Sequence, residues 1–84
     1  MTASERSTAD RRTYDAELAS ESASSTSTQE AHELARDLHR EAAKWQLRVG
    51  NDARAELHEI TARVHGQVAT RLEEADGEAP EPQG

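Results

Sequence analysis

The sequence predicts an all-α protein: an antiparallel helical hairpin that completes a four-helix bundle by self-association. Two segments, 28–49 and 52–76, carry apolar residues at the alternating spacing of three and four that places them on one side of an α-helix. Gly50 separates the two segments, and glycine is common where a helix ends. The flanking residues are rich in Ser, Thr, Pro and Gly, which predicts no packed structure for them.

The amino-terminal segment, 1–27, is predicted to be disordered. In residues 20–28, seven of the nine positions are Ser or Thr, whose hydroxyls compete for the backbone hydrogen bonds of regular structure. Residues 8–18 have the spacing of a short, weak helix, with Tyr14 and Leu18 one turn apart. A helix of this length is marginal in water on its own, so we expect little order before the hairpin.

The first helix of the hairpin is predicted to begin at Ser27. Glu30 follows three residues later, which is the spacing of a capping box. The other side of this helix carries acidic and basic residues offset by three positions, which predicts a solvated, ion-paired surface. Its apolar stripe comprises Ala31, Leu34, Ala35, Leu38, Ala42, Trp45 and Val49.

The second helix is predicted to follow a turn at Gly50, because Asn51 and Asp52 are both favourable residues for starting a helix. One long coiled-coil helix is the alternative. The four-residue step from Val49 to Ala53 fits a coiled-coil stutter, and a glycine inside a helix costs only about 1 kcal/mol. The apolar stripe of the second helix comprises Ala53, Leu57, Ile60, Val64, Val68, Leu72 and Ala75.

Residues 77–84 form an acidic tail interrupted by two prolines, which we expect to be disordered. The chain of 84 residues has no Cys, so disulfides and thiolate metal sites are excluded. Its net charge of −7 is spread along the sequence and makes a nucleic-acid partner unexpected. Because no apolar run is long enough to span a membrane and no signal peptide is apparent, we expect a cytoplasmic location.

Catalytic motifs are missing from the sequence. The dipeptide His-Glu occurs at His32 and again at His58, but Arg36 and Ala62 stand where a zinc-binding His-Glu-x-x-His motif needs its second histidine. The sequence also lacks a glycine-rich phosphate loop and a nucleophile elbow. We therefore expect a protein that is not an enzyme, with no catalytic residue, no cofactor and no small-molecule substrate.

The four histidines form a regular pattern, because His32 and His39 are seven residues apart and so are His58 and His65. In the hairpin all four are expected on one flank of the apolar stripes, with His39 and His65 as the nearest pair across the two helices. These two are weak candidates for metal binding, since zinc needs three or four ligands. The simpler expectation is four solvated side chains that titrate near neutral pH.

A hairpin closed along its apolar stripes still leaves about half of each stripe exposed. We therefore expect a protein–protein interaction or assembly module that forms homo-oligomers. The alternative is a small acidic regulatory or inhibitory protein that docks its helices on a larger protein, in the manner of an antitoxin or a phage-encoded inhibitor. The predicted interface residues are Leu34, Leu38, Trp45, Leu47, Val49, Leu57, Ile60, Val64, Val68 and Leu72.

Overall fold

A computed structural model describes residues 2–77, which contain three α-helices and no strand. The helices are α1 (Ala3–Thr26), α2 (Gln29–Arg48) and α3 (Asp52–Gly77). The prediction of an all-α protein is confirmed, and the two predicted helices correspond to α2 and α3. The helix number is not as predicted, because α1 is a third helix. The predicted tail at 77–84 lies outside the described residues, apart from the last residue of α3.

Helix α1 shows that the predicted disorder of residues 1–27 is wrong. Thr2 and Glu5 form a capping box: the Glu5 amide donates to the Thr2 hydroxyl, and the Thr2 amide donates to the Glu5 carboxylate. Three hydroxyls donate to the carbonyl oxygen one turn earlier, those of Thr8, Ser25 and Thr26. In this arrangement the hydroxyls are satisfied inside the helix, so the Ser/Thr-rich run does not interrupt it.

Alanines explain why α1 forms a long helix rather than the short one predicted over residues 8–18. Ala9, Ala16 and Ala23 are seven residues apart and are buried against the rest of the protein. Small side chains at this spacing allow a neighbouring helix to approach closely. Most of the stability of a helix in a folded protein comes from such packing rather than from intrinsic propensity.

Ser27 ends α1 instead of starting α2. Its backbone is left-handed, with a φ of 51°, and its amide donates to the carbonyl oxygen of Ala23 over 2.8 Å. Thr28 is the cap of α2, and its hydroxyl accepts a hydrogen bond from the amide of Ala31. The predicted cap is therefore wrong by one residue, because α1 already uses Ser27 as its own terminus.

Gly50 forms the turn between α2 and α3, which rules out one continuous helix. Its φ of +85° lies in the left-handed region that glycine adopts without strain. The amide of Asn51 then donates to the carbonyl oxygen of Gln46, and the Asn51 carbonyl accepts the first hydrogen bond of α3 from the amide of Ala55.

Helix α2 packs against both α1 and α3, and α1 reaches α3 through side-chain hydrogen bonds. The predicted stripe of α2 is partly buried, through Ala35, Ala42 and Val49. On α3 the buried residues are alanines and histidines at heptad spacing, while Leu57, Ile60 and Val64 are exposed, so the expectation that the hairpin closes along its apolar stripes is wrong for α3. Alanines leave room between the helices for the larger imidazole rings of their neighbours. The buried hydrophobic residues are Ala9, Ala16, Ala19, Ala23, Ala35, Ala42, Ala43, Val49, Ala55, Ala62 and Ala69. No helix within residues 2–77 has the length and hydropathy to cross a membrane.

Candidate functional site

All four histidines point into the interior of the protein. Helix α2 supplies His32 and His39, helix α3 supplies His58 and His65, and each side chain is 4–8% exposed. The expectation of solvated histidines is therefore wrong. The rings lie at heptad positions between the buried alanines, on the sides of α2 and α3 that face the neighbouring helices.

The imidazoles meet in two pairs across the interface between α2 and α3. The Nδ1 atoms of His32 and His65 are 2.9 Å apart, and those of His39 and His58 are 2.8 Å apart. The predicted pair, His39 and His65, is stacked with ring centroids 5.8 Å apart, but its nitrogens do not bond to each other. The prediction assumed the wrong alignment of the two helices, since His39 lies opposite position 58 rather than position 63.

Helix α1 contributes two hydroxyls to these pairs, and that of Ser20 joins one pair to the other. The Oγ of Ser20 forms hydrogen bonds with Nε2 of His39 at 2.6 Å and with Nε2 of His65 at 2.8 Å. The hydroxyl of Thr13 bonds to Nε2 of His58 at 3.2 Å. We call the four histidines with Ser20 and Thr13 the histidine network. Sequence reasoning missed the two hydroxyls, although the alternation of Ala9, Thr13, Ala16, Ser20 and Ala23 has heptad spacing.

Gln46 extends this network to the turn between α2 and α3. Its side chain is fully buried, its amide group donates to the Thr13 hydroxyl over 2.8 Å, and its carbonyl accepts from the Asn51 side chain over 2.9 Å. Within residues 2–77, no buried side-chain nitrogen or oxygen lacks a hydrogen-bond partner. The polar interior is thus fully connected, which removes the main cost of burying polar groups.

The hydrogen bonds are compatible with four neutral imidazoles, each of which has one donor and one acceptor nitrogen. When Thr13 donates to Nε2 of His58, the His58 proton lies on Nδ1 and is donated to His39. His39 then carries its proton on Nε2 and donates to Ser20, and the same order continues through the second pair. The opposite direction is equally consistent. In both cases each pair contains one ring protonated on Nδ1 and one protonated on Nε2.

Burial disfavours the charged form of His39, His58 and His65. It is the largest cause that lowers the pKa of His39 from 6.5 to about 4, followed by the neighbouring His58 and His65. Burial also lowers the pKa of His65, with a smaller contribution from His32. The pKa of His58 is lowered by burial too, while Glu17 raises it and Arg54 lowers it.

Hydrolytic chemistry needs more than the contact between Ser20 and His39, although this contact has the geometry of a nucleophile and its base. Ser20 lies in the middle of α1, where backbone amides are engaged in the helix and cannot stabilise an oxyanion. Within residues 2–77, no three His, Cys, Asp or Glu side chains are arranged to hold a metal ion. The metal candidates His39 and His65 thus have no third ligand in this part of the chain.

The predicted interface residues differ in how far the structure exposes them. Leu57, Ile60 and Val64 of α3 are 64%, 46% and 51% exposed, and their spacing of three and four makes a continuous apolar stripe on that helix. We call these three residues the α3 stripe. Leu34 and Leu47 of α2 are also exposed. The half-buried members are Leu38, Trp45, Val68 and Leu72, and Val49 is buried at the turn.

No protein-family model, no curated protein and no solved structure gives a significant match to this chain. Its function must therefore be inferred from its own residues, and two features stand out. One is the histidine network inside the protein, and the other is the α3 stripe on its surface.

Proposed function

We propose that the chain is a helical assembly module that pairs with a second copy of itself through the α3 stripe. The observation that supports this most directly is the exposure of Leu57, Ile60 and Val64 on a protein whose interior is built from alanine and polar residues. Large aliphatic side chains usually fill the core, and a continuous row of them on the surface is typical of an interface.

Buried alanines remove little apolar area from water, so the three helices alone gain a modest hydrophobic stabilisation. Each side chain of the α3 stripe has about half of its surface in water, and burying that half contributes on the order of 1 kcal/mol. Association along the stripe adds the hydrophobic burial that the isolated chain lacks.

A second copy fits this stripe because the flanking charges are complementary under two-fold symmetry. Ile60 is at the centre of the stripe, with Leu57 and Val64 on either side. When two α3 helices pack antiparallel about Ile60, Leu57 of one copy meets Val64 of the other. Glu56 and Arg63 are exposed and seven residues apart on one flank, so each Glu56 lies beside Arg63 of the other copy.

Sedimentation equilibrium of the full chain tests the proposal. We expect a dimer for the natural sequence and a monomer for Ile60→Asp, because a carboxylate at the centre of the apolar contact lacks a partner. Ile60 is exposed in the single chain, so the variant should keep its helical circular-dichroism signal. Leu47→Asp is the matched control, because it also replaces an exposed aliphatic side chain with a carboxylate, but on α2 and outside the stripe. This variant should remain dimeric.

Charge reversal tests the antiparallel arrangement. Glu56→Arg and Arg63→Glu should each weaken the dimer, because like charges then face each other, and the double variant should restore it. A chain that stays monomeric at every concentration contradicts the self-association model. That result favours docking on a larger protein, the other function expected from the sequence.

A further inference from the structure

We propose that the histidine network is a proton-binding site that couples pH to the position of α1: neutral imidazoles hold α1 against α2 and α3, and protonation detaches it. The inference concerns the interior of a single chain and does not depend on the proposed dimer. It follows from the hydrogen-bond geometry of the network and from the nature of the other contacts of α1, which are alanine packing, the hydrogen bonds of Gln46 and the ion pair of Glu5 with Arg48.

The proton capacity of each pair is set by its geometry. A neutral pair shares one proton between its facing Nδ1 atoms, which are 2.8–2.9 Å apart, and carries its second proton on one Nε2. A third proton can occupy the other Nε2 without breaking the bond between the rings. A fourth proton would place two N–H groups face to face, so the bond would be lost. The network can therefore accept one extra proton per pair, as a buried positive charge, before any bond must break.

Helix α1 is the element whose movement gives those charges access to water at least cost. Its buried residues are alanines, and it is connected to α3 through the hydroxyls of Ser20 and Thr13. Its larger apolar side chains, Tyr14 and Leu18, are 60% and 47% exposed, so they lose less burial than core side chains would when α1 moves away. Helices α2 and α3, by contrast, are joined by a tight turn that Gln46 and Asn51 hold closed.

Charged groups on the surrounding helices modulate this response without reversing it. Glu17 on α1 favours protonation of His58, and Arg54 on α3 opposes it. On α2, the titratable groups that face the site are His32 and His39 themselves. Burial of the rings lowers the pKa of His39, His58 and His65, so the detached state binds protons more tightly than the closed state. Acidification therefore shifts the equilibrium towards detachment.

Distances between spin labels on the full chain can test this directly. Because the chain has no Cys, pairs of introduced cysteines are labelled selectively. Arg11→Cys with Lys44→Cys measures the distance between α1 and α2. Glu30→Cys with Gln67→Cys measures the distance between α2 and α3. All four positions are at the surface. Between pH 7.5 and pH 4.5 the first distance should lengthen before the second does. The opening constant should rise by up to about ten-fold per pH unit for each proton bound.

Two variants separate protonation from simple loss of packing. The double variant His39→Gln/His65→Gln removes two titrating rings but keeps polar side chains. In this variant α1 should remain attached down to a lower pH than in the natural sequence. Ser20→Ala keeps every imidazole and removes the hydroxyl that joins the pairs, so α1 should detach at a higher pH, and this readout remains if the double variant fails to fold. The proposal is overturned if both label pairs separate together, if the first pair does not respond down to pH 4.5, or if Zn²⁺ alone stabilises the chain in a manner that depends on these histidines.

Discussion

The side chain of Arg36 on α2 lies directly across the backbone of α3 at Gly66. A Cβ atom at position 66 would lie 3.2 Å from Cδ of Arg36, which is closer than an ordinary van der Waals contact. Gly66 thus lets the two helices approach, and Arg36 keeps its guanidinium at the surface, where its Nε donates to Asp37 over 2.9 Å.

Gly66→Ala should stabilise the protein by up to about 1 kcal/mol. Alanine is the better helix former by about that amount, and the flexible Arg36 stem can shift by a few tenths of an ångström. Thermal and urea unfolding measure the effect. Gly50→Ala is the control with the opposite sign, because its φ of +85° strains any residue with a Cβ. Destabilisation by Gly66→Ala would show that Arg36 cannot move aside.

Gln46→Ala should destabilise the protein by about 2–4 kcal/mol. The substitution removes a fully buried side chain, leaves a cavity, and takes away the partner of the Thr13 hydroxyl and of the Asn51 amide. Gln67→Ala, at an exposed position of α3, is the matched control and should change the free energy of unfolding by less than about 0.5 kcal/mol. Equal effects at the two positions would contradict the buried network.

The two rings of each histidine pair should be opposite tautomers near pH 7.5. Their Nδ1 atoms are too close for two N–H groups and need one shared proton, so the other ring must carry its proton on Nε2. Nitrogen NMR of histidine-labelled protein distinguishes the two forms. Two rings of one pair in the same tautomer would be inconsistent with the hydrogen bonds.

The free energy of unfolding should fall as the pH decreases from 6.5 towards 4. Folding lowers the pKa of His39 from 6.5 to about 4, so in this interval the unfolded chain binds more protons than the folded one. The stabilisation is complete above pH 6.5 and is lost as the pH approaches 4; for His39 alone it amounts to at most about 3 kcal/mol. Urea unfolding at several pH values measures it, with His39→Gln as control. Because burial is the main cause, added salt should change the effect little, whereas strong screening would indicate surface repulsion.

Deletion of residues 1–26 should destabilise the packing of α2 against α3 without abolishing it. Without α1, the Nε2 atoms of His39, His58 and His65 lose their hydroxyl partners, and the alanine face of α2 is exposed to water. Circular dichroism and urea unfolding of the truncated chain check this. A truncated chain that kept the stability of the full protein would show that α1 contributes nothing to the packing of α2 and α3.

The two helices on either side of Gly50 could be predicted because their start and stop signals are local. Gly50 and Asn51 act through backbone conformation and through hydrogen bonds that reach only a few residues along the chain. Helix α1 could not be predicted in the same way. Its Ser and Thr residues are compatible with both coil and helix, and the choice depends on whether Ala16 and Ala23 find another helix to pack against.

The sequence by itself determined that this protein is helical, where α2 and α3 begin and end to within one residue, and that its histidines recur every seven residues on each of those helices. The tertiary structure decided which side of α3 faces inward. Two periodic patterns compete on α3, the aliphatic row of Leu57 and Val64 and the alternating row of Ala62 and His65, and both satisfy the geometry of a helix. The alanine and histidine row is buried because small side chains allow close approach of the helices, and because Ser20 on α1 completes the hydrogen bonds that make buried imidazoles stable.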